Sequence, residues 1–394
     1  MSQPGTQFVR TPAFRMIALY VGAGVIGYLG WSGSVHWAWI SLAFPFLYLQ
    51  CRSRLDTVSA TFYYAGATWS VLPGASVFFG NHADPLLPIL LWLGCIVLGS
   101  APWIALFNHR FTEVSAMAAL AVLAVPPLGL VTVAHPLICV GQWFPATRWF
   151  GILLPLSMIL LRRWLGFRYT AAVLLAAAIA SHVRWSPPPA NPHWVAVSTQ
   201  FGGSGFVPRP ATELYQQERF IEREALSHPD SVVLFPEAAV TAWSRSTDDH
   251  WRDTLRRLEQ QHTTLLLGTT IPIPTTEGNR NILLTRGFGP HFAYVQRVPV
   301  PIAMWHFGDS GGFPLMLHYP PTIRVLNQRA AVLMCYEQLL VWPALQSLAH
   351  DPDMLLAPSN DYWASKTSIP SIQHVAAKSW ADLWDIPLYE ARNE

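Results

Sequence analysis

The chain has 394 residues, more than one ordinary compact domain needs. Hydrophobic residues make up 52% of it and charged residues only 12%, about half the usual share, which points to a membrane protein. The net charge of +2 says little by itself; without a basic tract or a nucleic-acid motif, no DNA-reading surface is expected. The four cysteines (Cys51, Cys95, Cys139 and Cys335) lie far apart with no Cys-x-x-Cys pair, which argues against a disulfide framework and a structural metal site.

Met1 to about Pro12 is polar and carries Arg10. Seven apolar runs follow, at about 13–31, 35–50, 57–79, 86–107, 114–134, 149–161 and 169–183. The sixth and seventh are short against the roughly 17–25 residues of a spanning helix, so buried or interfacial helices remain open for them. The first run lacks a clear small-residue cleavage site, which counts against a signal peptide. Tryptophans near the run ends suit interfacial anchoring. If all the runs span, Arg10, Arg15, Arg52, Arg54, His109, Arg110, Arg162, Arg163 and Arg168 fall on one side. The opposite loops, such as Gly80–Asp84, are poor in basic residues, with Arg148 the main exception. The positive-inside rule then places the N-terminus in the cytoplasm and everything after residue 185 on the outside. The location expected is the inner membrane, with a periplasmic C-terminal domain if the cell is Gram-negative. Losing one span would reverse the orientation.

The prolines at 187–189 and Pro192 mark a boundary that resists helix and sheet. The division expected is a transmembrane helical bundle over 1–185, a proline-rich linker over 186–192 and an α/β domain over 193–394. Within that last region strands are expected at 194–198, 231–235, 264–268, 282–285, 292–296, 330–334 and 354–357. Helices are expected at 213–228, 252–261 and 371–384, and a turn at 275–278. Strands alternating with helices argue for a layered α/β domain.

Three stretches there carry chemistry. Glu237 follows a strand and Pro236, so it sits on a turn, as a general base or as a surface carboxylate. Cys335 ends an apolar run, as a nucleophile or as a small buried hydrophobe; the thiol needs a base or a positive neighbour to attack well. Glu337, two places on, leaves the same face as Cys335 if the strand continues; otherwise it starts a helix. Asn360 and Asp361 precede Trp363 and either cap the next element or shape a site wall. The run Ile302–Phe307, with Trp305, is a lid touching lipid or a buried connector.

Together, Phe235-Pro-Glu237, Cys335-Tyr-Glu337 and Ser359-Asn-Asp-x-Trp363 occur in nitrilase order. The Asn281-Ile pair, Tyr294–Pro301 and the helix through Gln373-His374 fit the same order. The chain from about 190 to 394 resembles the nitrilase superfamily of carbon-nitrogen hydrolases. With its preceding spans it resembles the membrane-bound apolipoprotein N-acyltransferase branch, and in layout it is similar to TraB-type conjugal-transfer proteins. The resemblance implies an αββα sandwich holding a Glu-Lys-Cys site: Glu237 as base, Cys335 as the thioester-forming nucleophile and Glu337 as a supporting carboxylate. Tyr336, Asn360, Asp361, Trp363 and Trp305 would wall the substrate. No cofactor or metal is implied. A phospholipid would donate the acyl chain, and a lipoprotein or conjugation-apparatus protein would be the partner.

The sequence departs from the family pattern in three places. The lysine position of Tyr-x-Lys-x-x-x-Val-Pro holds Gln296, with Arg297 one place on. Gln296 is a neutral oxyanion donor, and Arg297 could serve only if a bulge or a register shift turned it inward. The loop after Val300-Pro301 is aromatic rather than acidic. The sequence stops soon after Leu388, which leaves an apparently shortened sandwich with an open sheet edge expected. Two functions compete: acyl transfer through a Cys335 thioester, plausible in plasmid conjugal transfer, and an impaired nitrilase-like assembly or binding module. A channel is disfavoured by the scarcity of ionisable residues in the spans.

Overall fold

The computed structural model describes residues 12–80, 84–202, 210–274, 276–305 and 311–394. The N-terminal tail with Arg10, the centre of the Gly80–Asp84 loop, Thr275 and the pair His306-Phe307 lie outside the described residues.

The first half is helical: α1 (Pro12–Gly30), α2 (Ala43–Tyr48), α3 (Ser59–Ala67), α4 (Val71–Phe79), α5 (Leu87–Ala105), α6 (Thr112–Ala124), α7 (Val140–Trp143) and α8 (Trp149–Arg184). Ala13–Gly30, α5 and α8 are each long and apolar enough to cross a membrane. The expected run 57–79 is not one helix. It breaks at Thr68, which leaves helical geometry at φ −106°, ψ 12°. The run 114–134 ends its helix at Ala124, before the Pro126-Pro127 pair, because proline disfavours helix in the residue before it. The sixth and seventh runs meet at Gly166, whose φ of 73° and ψ of 162° suit a residue without a Cβ. The Trp149 ring lies 5.1 Å from that of Trp384, and the Trp185 indole donates to Asp385 at 3.2 Å. Both ends of α8 therefore return to one place, and the chain reverses at Gly166.

The contacts sort the bundle into two ends. At one end Arg15 pairs with Asp56 at 2.7 Å, Arg162 donates to the Leu49 carbonyl at 3.0 Å, and Arg163 donates to that of Arg110 at 3.2 Å. At the other end Phe78 stacks edge-on against Trp363, the Tyr336 hydroxyl donates to the Leu130 carbonyl, and Ala146 N–H donates to that of Asp382. The basic loops thus gather at the end away from the sheets. Arg148 is at the sheet end, where it reaches Asp351.

The second half contains β1 (Trp194–Ala196), α9 (Ala211–Leu226), β2 (Val232–Leu234), α10 (Arg245–His250), α11 (Arg252–Gln260), β3 (Thr264–Pro272), β4 (Asn279–Gly287), β5 (Ala293–Val295), β6 (Thr322–Val325), β7 (Gln328–Val332), α12 (Val341–Leu348), β8 (Met354–Asn360), α13 (Ile369–Trp384) and β9 (Leu388–Asn393). Among the described residues they form a five-stranded sheet, β1-β2-β3-β4-β5, and a four-stranded one, β6-β7-β8-β9. Both faces of the central parallel strands are covered, so they read as continuous apolar runs. Leu234, Leu266 and Leu283 of the first sheet meet Val332, Leu356 and Ala391 of the second in one core. Ile221 of α9 and Leu258 of α11 cover the outer face of the first sheet. Ala344 of α12 and Trp380 of α13 cover that of the second, in a core shared with Phe44 and Tyr63 of the bundle. The layers are therefore α-β-β-α, with the bundle packed on the second helical layer.

The open edge expected at the C-terminal strand is bridged. β9 pairs along β8, and on its other side Thr199 N–H donates to the Arg392 carbonyl at 2.7 Å while Glu394 N–H donates to that of Thr199. This bridge also ties the two sheets together.

Candidate active site

Cys335 stands three residues past the end of β7, at the start of a 3-10 turn over Cys335–Leu339. Its φ is +49°, a backbone position costing about 1–3 kcal/mol for a residue with a Cβ. The carboxylate of Glu337 holds the turn. It accepts from Met334 N–H at 3.0 Å, from the Tyr294 hydroxyl at 2.7 Å, and from the N–H groups of Arg297 and Val298 at 2.7 and 3.2 Å. Glu337 therefore does not share a face with Cys335. The strand does not continue, and the carboxylate turns back beneath the backbone that aims the thiol.

Glu237 lies on the turn after β2 and is fully buried beside the thiol. Its carboxylate accepts from the Asn281 side chain at 2.5 Å and from Asn360 N–H at 3.1 Å. Burial raises its pKa to about 7, against hydrogen bonds from Cys335, Asn281 and Asn360 that favour the anion. Burial, with Glu237 and Asp361 nearby, pushes the Cys335 thiol well up. The pair therefore rests as a neutral thiol beside a carboxyl group that titrates near neutrality, so the proton must move as the sulfur attacks.

Gln296 and Arg297 go to different places. The Gln296 amide donates to the Met334 carbonyl at 3.2 Å, and its oxygen accepts from Asn281 at 2.9 Å, so both polar ends are engaged in bracing Asn281 and the turn. No bulge brings Arg297 inward. Its guanidinium is buried on the far side, donating to the Tyr294 hydroxyl, to Ser347 at 2.9 Å, to Gln346, and to the carbonyls of Val332 and Pro343. Arg297 is thus corrected from a candidate oxyanion donor to a structural cation beside Glu337. Burial lowers its pKa, but the Tyr294 oxygen and the Glu337 carboxylate outweigh that and raise it.

A cavity of about 1090 Å³ opens from Glu237 and Cys335 into the bundle. Asn281, Asn360, Thr241 and Gln373 give its inner end polar groups, and Val71, Phe78, Leu91 and Leu98 of α4 and α5 make its wall apolar. Tyr336, Trp363 and Trp305 line it, and so do Ile302 and Met304 of the aromatic loop. Asn360 contributes both its backbone N–H and its side chain, which accepts from Asn393 at 3.1 Å. Asp361 does not reach the cavity. It is buried behind Asn360, accepts from the Ser359 hydroxyl at 2.7 Å, and has its pKa raised by burial to about 6. Among the described residues lining the cavity there is no lysine or arginine. Sequence reasoning placed Asn281 and Gln373 only within motif order. The one signal for Gln373 was an amide on the apolar face of α13 between Ile372 and Val375.

No family model matches the sequence. Two curated proteins are similar to it along nearly their whole length. The probable conjugal transfer protein TraB of Sinorhizobium fredii is 29% identical over 386 residues, covering 94% of this chain and 96% of that protein. The conjugal transfer protein TraB of Agrobacterium fabrum is 29% identical over 406 residues, covering 96% and 93%. Among solved structures, an amidase from Nesterenkonia sp. aligns over 50% of this chain and 74% of its own, with 16% identity and a TM-score of 0.36. Saccharomyces cerevisiae Nit3, a member of branch 10 of the nitrilase superfamily, covers the same shares with 20% identity and a TM-score of 0.35. With its bundle of apolar helices and its αββα domain, this chain is similar over almost its full length to the TraB conjugal transfer proteins.

Proposed function

We propose that this protein is a membrane-anchored acyltransferase that works through a thioester on Cys335 and serves plasmid conjugal transfer. The observation that carries the reading is the cavity joining Cys335 and Glu237 to the apolar walls of α4 and α5. A water-soluble amide needs no such tunnel, whereas an acyl chain does. Glu237 takes the thiol proton as sulfur attacks the carbonyl carbon of a phospholipid ester, then returns it to the departing alcohol. An amine attacks the thioester, and Glu237 receives its proton while sulfur leaves. The acceptor is a lipoprotein or a conjugation-apparatus protein, consistent with the names of the TraB relatives. The basic end of the bundle faces the cytoplasm and the sheet domain the periplasm, by the positive-inside rule.

The test is intact-mass and peptide mass spectrometry of the full chain purified from membranes and supplied with phospholipid. An acyl adduct on Cys335 is expected, absent in Cys335→Ser and formed about 10²–10⁴-fold more slowly in Glu237→Gln. Its rate should rise with pH through about 7, because only ionised Glu237 accepts the proton. A Cys335→Ser variant that still transfers acyl groups would sink the reading. With no lysine or arginine among the described residues that line the cavity, a second reading stands beside it, a catalytically impaired assembly module. That reading predicts normal plasmid transfer by Cys335→Ala and Glu237→Ala cells.

A further inference from the structure

Gln373 has an environment that a packing role does not explain. It stands on α13 and is 3% exposed. Its amide nitrogen lies 3.8 Å from the Cys335 sulfur, and its side chain lines the cavity. Its carbonyl oxygen is buried without a partner among the described residues. Leaving such an oxygen unpaired costs about 1–3 kcal/mol, so a buried amide in a purely structural role is normally paired at both ends, as Gln296 is. The unpaired end of Gln373 shares the space into which a reacting carbonyl and its attacking partner must come. The helix that carries it is held firmly. Gly33 packs against Ser371, and a Cβ at Gly141 would stand 1.8 Å from the Ser379 carbonyl oxygen.

We infer that Gln373 is a catalytic residue that takes over the role left by the missing lysine: its amide N–H donates to the oxyanion formed at the reacting carbonyl, and its oxygen accepts an N–H of the incoming amine. This rests on the thioester reading above. In the first step the thiol proton passes to Glu237, the sulfur–carbon bond forms, and the carbonyl π pair moves onto oxygen beside the Gln373 amide. Collapse of that oxyanion breaks the carbon–oxygen ester bond, and the alcohol leaves with the proton from Glu237. In the second step the amine nitrogen, with one N–H held by the Gln373 oxygen, attacks the thioester. Its surplus proton goes to Glu237, and the thiolate leaves and is reprotonated there. A neutral donor replaces a charged one, so the oxyanion is held less strongly than beside a lysine.

The experiment compares two reactions of Cys335 in the full-length, detergent-solubilised protein: acylation by p-nitrophenyl palmitate, followed as a burst of nitrophenol, and alkylation by iodoacetamide, followed by mass. Only acylation passes through an oxyanion. Gln373→Met keeps the length of the side chain and removes both polar atoms. It should slow acylation by about 10²-fold while alkylation changes less than about threefold. Gln373→Leu should behave alike, which guards against misfolding of one variant. Equal acylation in wild type and both variants would overturn the assignment while leaving the thioester reading intact. An equal fall in both reactions would also overturn it, making Gln373 a packing or thiol-positioning residue. Wild-type protein that is alkylated but never acylated would end the thioester reading and this proposal with it.

Discussion

Gln296 and Arg297 are neighbours in sequence, yet their side chains leave opposite faces of the strand end after β5. Gln296 braces Asn281, which holds Glu237. Arg297 sits in the outer layer, where its Nε lies 3.5 Å from a Glu337 oxygen and its other donors reach carbonyls and Ser347. The one-residue offset from the lysine position of the pattern it resembles was readable from the motif, and period-two alternation gave its consequence. What Arg297 does instead was not readable, because all its partners but Tyr294 lie 35 to 50 residues away. Removing one partner of a buried ion pair leaves the other charge uncompensated. Arg297→Met should therefore lower stability by about 3–5 kcal/mol, measured by denaturant unfolding in detergent, even though the residue is outside the cavity. A loss of transfer with unchanged stability would instead place it in the chemistry.

At the scale of elements, the site is built where two strands end and a third passes close beneath one of them. The turn Pro236-Glu237 lies directly on β3 at Gly268. A Cβ there would stand 2.1 Å from the Pro236 carbonyl oxygen and 2.5 Å from the Glu237 Cα. Gly268→Ala should displace the base and lower kcat for acylation by about 10²-fold, with KM for the ester little changed. Steady-state kinetics on a palmitoyl ester decides it, and an unaltered kcat would show that the turn yields without cost. The main strands and the helices α9, α11 and α13 were legible from apolar runs and amphipathic faces. The alternating burial of β9 was also present in Leu388–Asn393, but its half-exposed face carries the charged Glu390 and Arg392 and its buried face ends in the amide Asn393. The 3-10 turn at Cys335 was not legible, because an apolar run looks the same whether its last residues extend or curl. That difference turned Glu337 from a neighbour of the thiol into a brace beneath it.

Across the whole molecule, the bundle contributes walls to the cavity. Gly94 of α5 lines that cavity, and a Cβ added there would meet nothing within 4 Å. Gly94→Leu should fill space that an acyl tail would occupy and shift the adduct on Cys335 towards shorter chains. Displacing two buried methylenes is worth about 1.6 kcal/mol, or more than tenfold in preference. Competition between palmitoyl and lauroyl phospholipids, read from adduct mass, checks it; an unchanged ratio would mean the tail lies elsewhere.

Composition, apolar runs and basic loops by themselves determined a helical half followed by an α/β half, because hydrophobic periodicity is a local property of the chain. The resemblance carried by motif order implied in addition that Glu237 and Cys335 should meet. Only the tertiary structure decided that the helices open a path from those two residues into the bundle, that the chain reverses at Gly166, and that Gln373 rather than Arg297 stands beside the sulfur. Each of these depends on packing between segments far apart in sequence, where direction is set by neighbours that no local pattern names.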